Sequence, residues 1–589
     1  MFRKILIANR GEIAMRIIRT AREMGIATVA VYSEIDRGAL HVRMADEAYL
    51  LGPAAPSQSY LNIEKLLDVA RQSGAQAIHP GYGFLAENAG FARAVIEAGL
   101  TWIGPHPDAI DAMGDKVRAR QAMVKAGVPV VPGGTEAIAD EAAAREAAKR
   151  YGLPLALKAS GGGGGKGLKV ARTLEELPSA LANAQREAEA YFKNGTIYAE
   201  RYLENPKHVE LQVLADKHGT VLHVGERDCS LQRRHQKLWE EAPPSISARV
   251  RNGMREAGIR AAKAIGYDSV GTIECLVSGG DFFFLEMNTR IQVEHTVSEM
   301  ISGLDLIREQ IRVAAGEKLG YGQDAIVFRG HAIEGRVNAE DPAHNFRPAP
   351  GTVTAYREPA GPGVRIDSAA YPGFTITPDY DSMIAKLIVW APTREQAVAR
   401  LRRAIREYEI GGVPTTLPLL DALCDHRPVL DATYGTATLE TFAAEHYAQN
   451  GGGVLGRGEM SNQAERAEAS ASPATIRVEV NDKLYRVRLI DQPVGTVRSS
   501  GVTKAAPRSR HKKRDAGASG NDVVSPMHGV VVEISVKTGD AVQRGQVVAV
   551  VEAMKMMNEI RAHKSGTAGT VHVAAGDTVE ANSALVTIG

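Results

Sequence analysis

The chain has 589 residues, 44% hydrophobic and 24% charged, with 70 lysines and arginines against 69 aspartates and glutamates. That length exceeds a single core and predicts about four domains; the net charge of +1 excludes a general attraction to nucleic acid or anionic lipid. Cys229, Cys275 and Cys424 are too far apart for a disulfide framework or a zinc site, and no stretch approaches a transmembrane span.

The apolar run at residues 5–8 is too short for a signal peptide, so a cytoplasmic protein is expected. Residues 3–8 read as a buried strand, Ile13, Ile17, Ile18 and Ala21 follow at helical spacing, and residues 28–32 form a second strand. This is a βαβ opening to a parallel sheet. The turn Asn9-Arg10-Gly11-Glu12 lacks the three-glycine dinucleotide fingerprint. A third strand ends at Ile78, and His79-Pro80-Gly81-Tyr82-Gly83-Phe84 follows. Such a loop is either a plain βα turn or a ligand site at the sheet's carboxyl edge.

In the middle of the chain, Leu157-Lys158-Ala159-Ser160 runs into Gly161 to Gly165, Lys166 and Gly167. Consecutive glycines between strands can bring backbone amides close to phosphates, although a flexible linker is glycine-rich as well. The Gly-Lys-Ser/Thr of a Walker loop is absent. Lys116 and Lys158 are candidate phosphate partners, and Glu200-Arg201-Tyr202-Leu203 a candidate adenine-reading hinge. Thr272-Ile273-Glu274 and Phe284-Leu285-Glu286-Met287-Asn288 read as two strands of a hairpin turning at Ser278-Gly279-Gly280. Glu274 and Glu286 can then share a face. Two carboxylates and Asn288 suit magnesium; a solvated hairpin face is the alternative.

After about residue 446 the composition shifts to glycine, alanine, serine and glutamate. Residues 475–490 alternate as a β-hairpin about Asn481-Asp482, and Arg508-Ser509-Arg510-His511-Lys512-Lys513-Arg514 forms a basic run best read as solvated linker. Near the end, Gly539-Asp540-Ala541-Val542 recurs as Gly576-Asp577-Thr578-Val579, and Gly529-Val530-Val531 as Gly569-Thr570-Val571. That repeat predicts two similar halves of a small β-sandwich. Lys555, in Glu552-Ala553-Met554-Lys555-Met556-Met557, falls on the turn joining them. It is either a covalent carrier arm or a surface lysine beside core methionines.

Several of these stretches are specific when taken together. Residues 1 to about 445 resemble biotin carboxylase, an ATP-grasp enzyme. The likeness rests on residues 7–14, 79–88, Met113-Gly114-Asp115-Lys116, residues 226–237 and residues 286–295. Ala553 to Met556 resembles the attachment motif of biotinyl domains, and the flanking methionines favour biotin over lipoate. The whole resembles the α-chain of bacterial acyl-CoA carboxylases. The implied fold is α/β and α+β multidomain: an ATP-grasp biotin carboxylase, then a linker, then a small all-β biotinyl sandwich. The expected boundaries are 1–114 for the N-terminal α/β domain, 115–330 for the ATP-grasp domain and 331–445 for the carboxylase C-terminal domain. A linker with a β-hairpin at 446–520 and a carrier domain at 521–589 follow.

The resemblance also implies roles. Lys116, Lys158, His208, Gln232 and His235 would contact ATP, Gly164 and Gly165 would cover it, and Glu200 and Leu203 would hold adenine. Glu274, Glu286 and Asn288 would bind Mg2+ or Mn2+. Lys237, Arg290, Gln292 and Val293 would bind bicarbonate, with Glu294 taking its proton. Arg336 would face the ureido oxygen of biotin, with Tyr82 nearby and Lys555 as the attachment point. The implied partners are a biotin protein ligase, a homodimer or higher oligomer, and a separate carboxyltransferase β-subunit; nucleic acid and membrane are not. The acyl group is left open, and a two-chain pyruvate carboxylase or a carrier scaffold would carry similar motifs. Departures from the family pattern are Trp239 after Leu238, and His528 where proline is common. Cys229 would lie near the active site as a bystander. The sixty-odd linker residues would span on the order of 40 Å r.m.s. if flexible. Coexpression with a biotin ligase should add the mass of one amide-linked biotin to the peptide bearing Lys555, and Lys555→Ala should abolish it. Intact-mass and peptide analysis checks both.

Overall fold

The computed structural model describes residues 1–134, 136–159, 167–192, 195–234, 236–449, 475–480, 483–488, 521–527, 529–553, 556–580 and 582–589. Gly164, Gly165, His235, His528, Lys555 and the basic run at 508–514 lie outside the described residues.

The chain opens with a five-stranded parallel sheet ordered Glu47–Gly52, Ala27–Ser33, Lys4–Ile7, Ala77–His79, Thr101–Trp102. Ile5, Leu6 and Ile7 at its centre are fully buried, as their unbroken apolar run requires. The edge strand Glu47–Gly52, which periodicity alone does not reveal, is largely half-buried and carries no continuous apolar run. Asn9 ties two strand ends together. Its Nδ2 donates to the carbonyls of Pro80 and Tyr82, both at 2.7 Å, and so clamps the glycine loop. Gly81 has φ +62°, and a Cβ there would lie 3.0 Å from Ile13 Cγ1, so the loop demands glycine.

A second, antiparallel sheet holds eight strands. Its order is Asp281–Asn288, Val270–Ser278, Lys207–Ala215, Val221–Arg233, Gln236–Ala242, His331–Asn338, Met383–Ala391, Val364–Ser368. Helix Ala248–Ala264 packs on the apolar side through Val250, Met254, Ala257 and Ala261. The expected hairpin is present: Gly279 and Gly280 both have positive φ, +60° and +83°, the requirement of a tight two-residue turn.

A β-bulge decides where Lys237 points. Leu231 pairs with Trp239 and the next residue, Gln232, pairs with Lys237, leaving Leu238 as the extra residue. Leu238 and Trp239 can therefore both enter the C-terminal core, while Lys237 turns to the polar side. Trp239 is fully buried there, so this departure from the family pattern fills the core rather than crowding the lysine.

A smaller sheet of Leu168–Ala171, Leu155–Ala159 and Ile197–Arg201 packs against helices Glu141–Tyr151 and Leu177–Phe192. Glu200 lies inside the last strand, Ile197–Arg201.

The C-terminal segment, taken by itself, is two four-stranded sheets around a valine-rich core. The internal repeat is realised as a reciprocal exchange. Ala541–Val542 of the first half pairs with Gly566–Val571 of the second, and Thr578–Val579 pairs with Gly529–Ile534. Gly539 and Gly576 adopt matching φ of +94° and +98°. Strands Val547–Ala553 and Met556–Arg561 pair up to Ala553 opposite Met556, so two residues connect them. Strands Thr475–Val480 and Lys483–Arg488 form the expected antiparallel pair.

Candidate active site

Four strands of the large sheet put four charged residues in one row. Arg227 pairs in register with Glu210, Glu210 with Glu274, and Glu274 with Glu286. A second row is Gln212, Thr272 and Asn288. Directly opposed residues share a face, so the polar side of the sheet is lined with carboxylates. Strand Lys207–Ala215 shows how this arises, because His208, Glu210 and Gln212 alternate with Val209, Leu211 and Val213.

Arg227 and Lys237 are fully partnered. Arg227 spends all five N–H donors: Nε on Glu210 at 2.8 Å, NH1 on Gln212 and Ser298, NH2 on Thr272 and Gln292. Lys237 Nζ reaches Glu294 at 2.6 Å, Glu210 at 2.7 Å and Glu274 at 3.0 Å. Burial alone would push the Lys237 amine down, but the three carboxylates hold it well above the ordinary lysine range. Burial would raise Glu210, yet Lys237 and Arg227 bring its carboxyl down to about 2. The resemblance gives no role to Arg227, which lies within its 226–237 stretch, or to Glu210; the alternation in 207–215 is the available signal for Glu210.

Glu294 precedes helix His295–Ser302 at the N-cap position without a side-chain cap bond and joins two cations, Lys237 through Oε1 and Arg336 through Oε2 at 3.0 Å. Burial opposes its charge, but Lys237 and Arg336 keep the carboxyl below its usual range. Arg336, on strand His331–Asn338, also donates Nε to Glu240 at 2.6 Å. Arg290 bonds Glu87 at 2.9 Å and the Asn288 side-chain oxygen at 2.7 Å, tying the glycine-loop region to the sheet. Gln292 donates to Glu274 at 2.7 Å. The Val293 carbonyl accepts from Lys386, whose amine is 5.9 Å from the Tyr82 ring centre and whose strand pairs Lys386 with Arg336. The structure thus brings Tyr82, Lys237, Arg290, Gln292, Val293, Glu294 and Arg336 into one connected region.

On the other flank, His208 Nε2 lies 2.9 Å from Glu274, and Gln232 meets its Nδ1 at 3.3 Å. Burial would lower the His208 pKa, but Glu274 raises it. Lys116 opens helix Lys116–Lys125 and exerts its charge on Glu286. Lys158 pairs with Glu200, and Arg120 lies 3.5 Å from the same carboxylate. The Glu200 side chain is therefore occupied, which leaves backbone groups of Glu200 and the half-buried Leu203 for a base. The Cys229 thiol donates to Glu210 at 3.1 Å, and burial keeps it protonated by pushing its pKa well up.

Glu286 stands directly across from Glu274, and burial followed by that neighbour raises its carboxyl above the ordinary range. A divalent cation would relieve this repulsion, and two carboxylates with an amide oxygen at Asn288 form the hard donor set that Mg2+ or Mn2+ prefers. The buried Tyr82 hydroxyl has no partner among the described residues, which fits a polar headgroup such as the biotin ureido ring.

Family comparisons agree with this geometry along the chain. Residues 1–110 match the biotin carboxylase N-terminal domain, and 115–321 the ATP-binding domain of the carbamoyl-phosphate synthase L chain. Residues 334–441 match the biotin carboxylase C-terminal domain, and 521–588 the biotin-requiring enzyme model. The fold and the carboxylate-lined sheet are those of an ATP-grasp ligase. The chain belongs to the biotin carboxylase family, in the form that carries its own biotinyl domain. It is 46% identical to the biotin-dependent acyl-coenzyme A carboxylase alpha3 subunit of Mycobacterium leprae, over 99% of this chain and 98% of that one. It is 53% identical to a pyruvate carboxylase subunit of Methanothermobacter thermautotrophicus, over 72% of this chain and 86% of that one. Among solved structures, it matches the biotin carboxylase domain dimer of Hydrogenobacter thermophilus 2-oxoglutarate carboxylase, in complex with MgADP, ADP and bicarbonate. That match has 51% identity and a TM-score of 0.72, covering 76% of this chain and 98% of that one.

Replacing Arg227 with methionine leaves Glu210 short of a cation and should cost about 3–5 kcal/mol. Because Glu210 is held at about 2, its stabilisation is present above its unfolded pKa of about 4.5 and lost as pH falls toward 2. Chemical unfolding at several pH values should show a shallower acid dependence in Arg227→Met than in the wild type.

Proposed function

We propose that the chain carboxylates biotin carried on its own Lys555, using ATP and bicarbonate, as the first half-reaction of an acyl-CoA carboxylase. The observation that carries this reading is the meeting of Lys237 and Arg336 on the single carboxylate of Glu294. One cation is suited to an anionic substrate and the other to a developing oxyanion, with a base between them.

ATP is taken by Lys116, Lys158, His208, Gln232 and His235, with Gly164 and Gly165 over its phosphates and Glu200 and Leu203 at adenine. Glu274, Glu286 and Asn288 would hold a magnesium ion, which would supply charge neutralisation at the phosphates. Bicarbonate binds Lys237, Arg290, Gln292 and the Val293 backbone. As Lys237 turns to the incoming anion, Glu294 loses a cation partner and becomes a stronger base. It then accepts the bicarbonate proton while the bicarbonate oxygen attacks the γ-phosphorus. Lys237 and Arg290 spread the charge of phosphoryl transfer, and the resulting carboxyphosphate breaks down to CO2 and phosphate. Biotin would supply a ureido nitrogen as CO2 acceptor, its N–H proton passing to the phosphate released from carboxyphosphate. Arg336, with Tyr82 beside it, binds the ureido oxygen by charge-assisted hydrogen bonds as negative charge develops there.

The transfer half-reaction belongs to a separate carboxyltransferase β-subunit, and Lys555 is a substrate for a biotin protein ligase. The near-complete overlap with the mycobacterial acyl-CoA carboxylase chain supports an acyl-CoA acceptor over pyruvate, since the pyruvate carboxylase relative matches only 72% of the chain. A homodimer through the carboxylase is supported by the dimeric relative. Three buried free thiols support a cytoplasmic setting. No helix among the described residues is long and apolar enough to cross a membrane.

Arg336→Ala should reduce ATP-dependent carboxylation of free biotin by at least ~100-fold while ATP affinity stays within about twofold. Radiolabelled bicarbonate incorporation and nucleotide titration measure the two. The purified chain alone should carboxylate no acyl-CoA; product formation without a second chain would contradict the division of labour.

A further inference from the structure

Behind Arg336 stand two carboxylates that the proposed reaction does not use. Glu240 and Glu334 are directly opposite each other on the adjacent antiparallel strands Gln236–Ala242 and His331–Asn338, and neither has exposed surface. Glu240 Oε1 accepts from Arg336 Nε at 2.6 Å, and Glu334 Oε2 accepts from the Thr296 hydroxyl. The remaining oxygen of each, Glu240 Oε2 and Glu334 Oε1, is buried without a hydrogen-bond partner among the described residues. Two ionised carboxylates in this position repel across the strand pair and leave two acceptors unsatisfied. A single retained proton relieves the repulsion and supplies a donor.

We propose that Glu240 and Glu334 hold one proton between them at neutral pH, carried by Glu334, and that Glu240 is thereby the lone carboxylate that positions Arg336. Glu240 faces Arg336, Glu294 and Lys237. Glu334 faces Lys386, Glu240, Arg336 and Thr296. Burial leads in both: it pushes Glu240 up to about 7 against the pull of Arg336, and Glu334 well above the carboxylate range against the pull of Lys386. Raised folded values mean that both carboxyls carry protons at low pH, that Glu240 ionises as pH rises through about 7 while Glu334 keeps its proton, and that this one-proton state is lost as pH rises further through the Glu334 value.

The consequence lies in how Arg336 is divided. Its Nε is anchored on Glu240 and one N–H of NH2 on Glu294, which leaves three N–H donors for another group. Without the Glu240 charge, the guanidinium would close on Glu294 and weaken the base. With both Glu240 and Glu334 ionised, it would be drawn back toward the sheet. Glu240 is a positioning residue in this scheme, which rests on the roles proposed above for Glu294 and Arg336.

The test uses the full biotinylated chain, with free biotin as the probe and bicarbonate-dependent ATP cleavage followed against pH. Glu240→Gln should lower kcat at least ~10-fold with the ATP KM within about twofold, and should move the acid limb to lower pH. Glu240→Asp should recover part of the rate, and serves in its place if the amide does not fold. Glu334→Gln mimics the protonated acid and should retain at least ~10-fold more activity than Glu240→Gln. It should also remove a protonated-carboxyl stretch from the infrared spectrum at neutral pH. Equal losses in Glu240→Gln and Glu334→Gln, or no such band, would overturn the proposal. Normal kinetics in both Glu240 variants beside an inactive Arg336→Ala would overturn it while leaving the Arg336 assignment standing. A fully active Arg336→Ala would remove the assignment on which it rests.

Discussion

One buried amine among three carboxylates organises the catalytic face. Lys237 lies within 3.0 Å of Glu210, Glu274 and Glu294, and among the described residues no other cation meets three carboxylates so closely. At an effective dielectric of about 20, one such pair at about 4 Å is worth about 4 kcal/mol, comparable with the desolvation it offsets. Arg227 completes the balance from beneath by engaging Glu210 and the polar residues around it. The lysine reaches this position because Leu238 is an extra residue in the ladder, which reverses the side-chain alternation at that point. Fold and electrostatics are joined there: the bulge that admits Trp239 to the core also turns Lys237 onto the carboxylate-lined face.

An anion entering this face meets cations already committed to carboxylates, so binding proceeds by exchange. In the proposed reaction Glu294, freed from Lys237, becomes a base, and Glu274 a metal ligand beside Glu286. The carrier domain follows a different logic. Two exchanged β-halves bury valines around a compact core, with Ala553 paired opposite Met556 at the end of one hairpin.

Much of this is legible in the amino-acid sequence, for reasons specific to each element. Glu274 and Glu286 are readable as a facing pair because paired glycines fix the hairpin register, and a fixed register fixes the face. The C-terminal repeat is readable because symmetry in the sequence becomes symmetry in strand exchange. What escapes is set by tertiary pairing. Arg227 is an ordinary strand residue until Glu210, Thr272 and Gln292 arrive from other segments, up to 65 positions away. Glu240 and Glu334 are opposed only because strands from either side of residue 330 share a sheet. The position of Lys237 depends on a bulge, and bulges leave little trace in a period-two pattern. Glu200 illustrates the same limit, since its pairing with Lys158 depends on two strands meeting antiparallel.

The central claim is that the ATP-grasp head charges the biotin on the tail of the same polypeptide. Incubating the biotinylated chain with radiolabelled bicarbonate and ATP, without free biotin, and mapping the labelled peptide tests it most directly. The account predicts ATP-dependent label on the peptide containing Lys555, lost in Lys555→Ala and in Arg336→Ala. Label elsewhere, or none on a fully biotinylated and ATP-cleaving chain, would contradict it.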